Sequence, residues 1–184
     1  MMDYQTVFIA LTQDPQYLQN LDWGESRPGH PEGTVRAHIA EVGRNLEKIR
    51  AKLSDIDYWR LRVLVHTHDT FKAAAQAGVP IISPASHASL ARNFLAAYCD
   101  DPDLLAMVQY HDEPYALWRQ FETKGKFNEE RLTRLLGNIR DWNLFLAFNL
   151  VDGCMDGKGR APLQWFFRQI EGRVDSLFTE ADIF

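Results

Sequence analysis

Six side chains in this sequence carry the chemistry of a metal site: His38, His68, Asp69, His87, His111 and Asp152. Imidazole and carboxylate together suit a first-row transition metal, whereas a set of oxygen donors alone would suit Mg or Ca. The densest piece is the stretch Leu61-Arg-Val-Leu-Val-His-Thr-His-Asp-Thr-Phe-Lys72. On a helix, Leu61, Leu64, Val65 and His68 share the core-facing side, so the imidazole points inward. An inward imidazole beside a carboxylate needs partners, and a cation satisfies both at once.

The elements that must position these residues read as helices. Val35, His38, Ile39, Val42, Leu46 and Ile49 form one apolar face after a Gly- and Pro-rich loop, Trp23 to Gly33, and Thr34 opens that helix. The loop carries His30, free to contact solvent or substrate. Ser86 is placed to cap a helix in which His87, Leu90, Ala91, Phe94 and Leu95 share a face, and Asp101-Pro102 opens another with Leu104, Met107, Val108 and His111 aligned. After Gly137, Asp141, Phe145, Phe148 and Asp152 share the face of a longer apolar helix. Short helices are expected over residues 3–22, a helix over 129–136, and a final helix with Leu163, Phe166, Phe167 and Ile170 on the core. No stretch alternates as a strand does. The expected fold is all-α, a single-domain helical bundle spanning residues 1–184.

Five helices each aiming ligand-type side chains into one core would strand several polar groups, unless those groups converge on something that binds them all. Six ligands exceed what one ion usually takes from protein, so one or two divalent ions drawn from Fe, Mn, Co, Ni and Zn are expected. His66 lies off the apolar stripe and reads as a surface histidine. Lys124, Lys126, Lys158 and Arg160 read as a solvated basic cluster, with Arg160 a candidate for holding an anionic substrate. Asp112 and Asp156 read either as partners orienting the histidines or as solvated acids at helix ends.

Composition bounds the function classes. The chain has 184 residues, 46% hydrophobic and 24% charged, with a net charge of −5. That suits one compact domain and disfavours tracking along a long nucleic acid or an anionic membrane surface. Cys99 and Cys154 form no CxxC pair and no disulfide framework, the amino terminus lacks a basic signal-peptide region, and Asn143, Asn149 and Asp152 interrupt the longest apolar stretch. A cytoplasmic protein without a membrane span is expected, with its oligomeric state left open.

The order H…HD…H…H…D resembles the HD-domain superfamily of metal-dependent phosphohydrolases, in particular its two-metal members. The resemblance is carried by His38, by His68-Asp69-Thr-Phe-Lys72, by Ser86-His87, by Tyr110-His111-Asp112-Glu113 and by Val151-Asp152-Gly-Cys-Met-Asp156, and covers roughly residues 30 to 156. It implies a helical bundle in which one ion takes His38, His68, Asp69 and Asp152, a second takes His87 and His111, and Asp69 bridges them. Lys72 would contact a phosphate oxygen of a small phosphorylated substrate, a nucleotide or a related mono- or diester, attacked by a metal-bound hydroxide. Asp69 and Lys72 would be the catalytic pair, with His30 and Arg160 as further substrate contacts. The sequence has Asp112 where the HD-GYP members have a second histidine, and it lacks the GYP tripeptide, which weighs against cyclic di-GMP hydrolysis. Two other readings share these ligands: a diiron HD-type oxygenase, similar to myo-inositol oxygenase or phosphonate-cleaving oxygenases, and a regulatory HD module that holds metal without turnover.

Overall fold

The computed structural model describes residues 2–28 and 31–184, and among these the regular elements are all helices, without a strand. The helices are α1 (Tyr4–Thr12), α2 (Pro15–Asn20), α3 (Val35–Ile49), α4 (Asp55–Thr67), α5 (His87–Leu95), α6 (Pro102–Tyr110), α7 (Glu113–Lys124), α8 (Glu129–Asn138), α9 (Trp142–Gly153) and α10 (Ala161–Ile170). None is long and apolar enough to cross a membrane. The expected all-α bundle is what the chain forms.

Caps written in the sequence set many of the helix starts. Asp14, Thr34, Ser54, Ser86, Asp101 and Asn128 each accept a backbone N–H from the first turn of the helix that follows. Asp141 behaves the same way. Expected on the inward face with Asp152, it instead precedes α9 as its cap, accepting from the Leu144 N–H at 3.0 Å and from the Arg60 guanidinium at 2.5 Å. A carboxylate one residue before an apolar helix gains more from the free amides of the first turn than from any apolar face.

The helix at the centre of the bundle is α9. Nine of its residues, from Trp142 to Val151 apart from Asn143, are buried, and it packs against α3, α4 and α10. A helix apolar all round has to lie inside. Phe145 and Phe148 are fully enclosed, each contributing on the order of 1.5–3 kcal/mol from burial. Around this axis α1 packs on α4, α5 on α6, and α7 on α10.

Candidate metal centre

The sequence suggests ligands on inward helix faces, but three of them sit at helix ends. His38, in the first turns of α3, and Asp152, near the end of α9, are enclosed within their helices. His68 follows the last residue of α4, His111 follows the last residue of α6, and His87 is the first residue of α5. Helix C-termini leave carbonyls without amide partners, and those carbonyls orient imidazoles. His68 Nδ1–H donates to Val65 O at 2.9 Å, and His111 Nδ1–H donates to Val108 O at 2.8 Å. Thr67 Oγ1 donates to Val63 O at 2.6 Å and Thr70 Oγ1 to His66 O at 2.5 Å, so the motif's own side chains also finish α4.

These bonds fix the tautomers. With Nδ1 donating, His68 and His111 each present Nε2 as a lone pair, and His38 does likewise when its Nδ1–H is held by Glu32 Oε1 at 3.2 Å. His38 Nε2 lies 3.1 Å from His68 Nε2, and His87 Nε2 lies 3.1 Å from His111 Nε2. Two lone pairs at that distance repel unless a proton or a metal ion lies between them.

The carboxylates complete two groups. Around the first pair, Asp152 Oδ1 is 3.3 Å from His38 Nε2 and 3.9 Å from His68 Nε2, and Asp69 Oδ2 is 3.5 Å from both. Around the second, Asp69 Oδ1 is 3.4 Å from His111 Nε2 and 3.7 Å from His87 Nε2. Donors about 2.1 Å from one ion lie about 3.0 Å apart at right angles and about 3.4 Å apart in a tetrahedron. His38, His68 and Asp152 thus form one group able to hold a metal ion, and Asp69, His87 and His111 form another. Asp69 presents one oxygen to each. Its Oδ1 is buried and accepts no hydrogen bond, as an atom reserved for a cation would be.

The electrostatics make the same demand. Burial pushes His68 down to about 3. Burial also works against protonation of His38, but the hydrogen bonds that the imidazolium donates to Asp152 and Glu32 outweigh it and raise that imidazole to about 9. One proton therefore belongs to the first pair in the absence of metal. Burial would raise Asp69 and Asp152, yet the ammonium of Lys72 beside the first and of Lys158 beside the second hold both well below the usual carboxylate range.

Lys72 Nζ bonds Asp69 Oδ2 directly. It lines a small opening together with Trp23, Arg27, Thr34, His38 and Asp69. His30 lies outside the described residues. Arg160, expected as a substrate contact, has its guanidinium engaged within the protein: it donates to the carbonyls of Gly153, Cys154, Met155, Lys158 and Phe184, tying the chain after α9. Lys158 is not a solvated charge either, since its Nζ donates to both oxygens of Asp152 at 2.9 and 3.0 Å. His66 is no surface histidine, because its Nδ1 meets Tyr17 Oη at 2.7 Å under Phe8, and burial pushes its pKa down to about 4.

Three residues join the site beyond the six. Glu32 orients His38, Lys158 holds Asp152, and Asp112 Oδ2 lies 3.2 Å from His87 Nε2, adding a carboxylate to the second group. The signal for Asp112 was its place directly after His111; Glu32 and Lys158 carried none beyond charge. Compared with family models, with curated proteins and with solved structures, the chain matches none of them. What the site can do follows from its geometry.

Proposed function

We propose that the protein is a metal-dependent phosphohydrolase acting on a small phosphate ester, of the kind expected for a two-metal HD domain. The observation that carries the reading is Asp69, a buried carboxylate with one oxygen toward each imidazole pair. Two such groups sharing a carboxylate suit a pair of divalent ions, drawn from Fe, Mn, Co, Ni and Zn. Bound there, the ions would supply Lewis acidity toward a phosphoryl oxygen and lower the pKa of water to near neutrality.

The protein's own part is to hold and to neutralise. Val65 O and Val108 O keep Nε2 of His68 and His111 facing the ion positions. With Asp69 Oδ2 engaged by a cation, Lys72 Nζ would be free to hold a phosphate oxygen. Arg27, at the same opening, adds a second cation there, and the Trp23 indole offers a flat apolar surface for the organic part of a nucleotide-like ester.

One observation favours a second reading. Each group joins two imidazoles to carboxylate, a donor set that also serves non-haem iron, and a diiron oxygenase would use it to activate O₂. Metal analysis and a visible spectrum of the purified protein, with turnover of a nucleotide and phosphodiester panel under Mn, Co, Ni, Zn and Fe, separate the two. Hydrolysis that depends on metal is expected. O₂ uptake with an organic substrate, two irons with an oxo-bridge absorption and no phosphate release would replace the proposal with the oxygenase, and bound metal with neither activity would leave a regulatory module.

A further inference from the structure

The reverse side of the two helices that carry His38 and His68 is hollow. A cleft of about 460 Å³ runs between α2, α3 and α4. Two of its residues lie about 200° around the helix axis from the metal-site histidines: Arg36 is two positions from His38, and His66 two positions from His68. The cleft is separate from the metal centre, although both share α3 and α4.

Its lining carries an excess of basic side chains. In a protein of net charge −5, three arginines, Arg36, Arg44 and Arg62, line it against one carboxylate, Glu47. Arg36 is paired with Asp22 at 2.8 Å, and Glu47 accepts from Tyr58 Oη at 2.7 Å. Arg44 makes no hydrogen bond or ion pair among the described residues. Arg62 stacks over Phe8 at 4.5 Å and donates to the neutral Tyr58 Oη at 3.1 Å, with no carboxylate partner. Two guanidinium groups without counter-charges in one cleft are an incomplete anion site. The floor between them is apolar, with Leu21, Ile39, Leu46 and Val65 beside the Tyr17–His66 pair.

Gly43 is an independent sign. It lies mid-helix in α3 and lines the cleft, and a Cβ added there would meet no atom within 4 Å. Glycine in a helix interior costs stability relative to alanine, and here no packing contact and no positive φ accounts for it. A side chain at this position would point into open space, so the cleft has room beside Gly43 for the body of a ligand.

We infer that this cleft binds a small organic phosphate or phosphonate, with the dianionic head between Arg44 and Arg62 and an apolar body on the floor beside Gly43. The inference does not rest on the proposed hydrolase activity, because the metal ligands take no part in it.

Phenylphosphonate, which has the dianionic head and an apolar body but no ester bond to cleave, is the probe, followed by calorimetry and by amide shifts of α3 in the full chain. Saturable shifts at Gly43 and Arg44 are expected. Arg44→Ala should weaken binding about tenfold, the loss typical of one charge-assisted contact. Gly43→Leu should abolish it while the melting temperature stays level or rises, and Lys72→Ala should leave it unchanged. Benzyl alcohol, lacking the anion, should not bind. Absence of saturable shifts in the wild-type chain, binding that survives Gly43→Leu, or binding lost in Lys72→Ala but kept in Arg44→Ala would each overturn the inference.

Discussion

The two imidazole pairs have the same nitrogen separation, 3.1 Å, and quite different surroundings. In the inner group both Nδ1 atoms are held, His38 by Glu32 and His68 by Val65 O, and the two carboxylates each have a lysine. In the outer group only His111 is held through Nδ1; His87 Nδ1 has no protein partner among the described residues. The Asp112 side chain is 47% exposed and that of His87 20%, whereas those of His38 and His68 are 5% or less. Equal ligand spacing therefore does not mean equal grip. The inner imidazoles are preorganised and dry, with exposure in that group confined to Asp152 at 26%, whereas in the outer group an imidazole and a carboxylate, His87 and Asp112, both reach water.

The largest effect should come from the residue that joins the two. Asp69→Asn keeps the side chain's size but removes the charge shared between both groups, so metal content should fall from both and turnover should drop by about 10²- to 10³-fold. Elemental analysis and rate measured on one preparation check this. A variant that retains full metal while losing activity would mean that Asp69 serves the substrate rather than the ions.

Next in size is the difference between the pairs themselves. Under graded chelation the outer ion should leave first, giving a plateau near one ion per chain before the melting temperature falls. His111→Ala should reproduce that plateau directly, while His38→Ala should lose the inner ion and destabilise the fold. If both ions leave together at every chelator concentration, the two groups act as one cluster and the contrast drawn from burial is wrong.

A third consequence is the pH dependence of the chelated protein. His38 is raised to about 9, so its contribution is complete below its ordinary value near 6.5 and is lost as pH rises toward 9. His68, pushed down to about 3, works on the other side, its contribution complete above about 6.5 and lost as pH falls. The metal-free melting temperature should therefore decline between pH 6.5 and 9, and metal should flatten that decline by taking the place of the proton at the His38–His68 contact. Parallel melting curves with and without metal across this range would contradict the inner-site assignment.

Much of this candidate centre was legible because its histidines and aspartates are chemically unusual where they stand. Histidine or aspartate inside the runs of α3, α4 and α9 is conspicuous, and the caps at Thr34, Ser86 and Asp101 could be read from residue type alone. What the pattern hid was position along the helix. A helical period places residues around an axis but does not say where the helix stops, so His68 and His111 looked like face residues when they are terminal ones. Glu32, Lys158 and Arg160 were opaque for another reason: a long charged side chain in a loop has many available partners, and only the fold selects one. The same holds for His66, whose burial depends on Phe8 and Tyr17 from α1 and α2, more than 40 residues away in sequence.

The smallest effect sharpens the comparison most. Glu32 and Asp112 both lie next to a ligand imidazole, but they approach different atoms. Glu32 meets His38 at Nδ1, away from the ion position, so it orients the ring; Asp112 meets His87 at Nε2, on the ion side, so it competes to be a ligand itself. Glu32→Gln preserves a hydrogen-bond acceptor and should weaken the inner ion by about tenfold, the low end for a group that supports a ligand. Asp112→Asn removes a carboxylate that is half in solvent, where its charge is already screened, so the outer ion should weaken by only a fewfold and the inner ion not at all. Competition against a fluorescent chelator resolves both constants. Should Asp112→Asn strip the outer ion outright, Asp112 is a principal ligand, and the outer group holds its metal as firmly as the inner one despite its exposure.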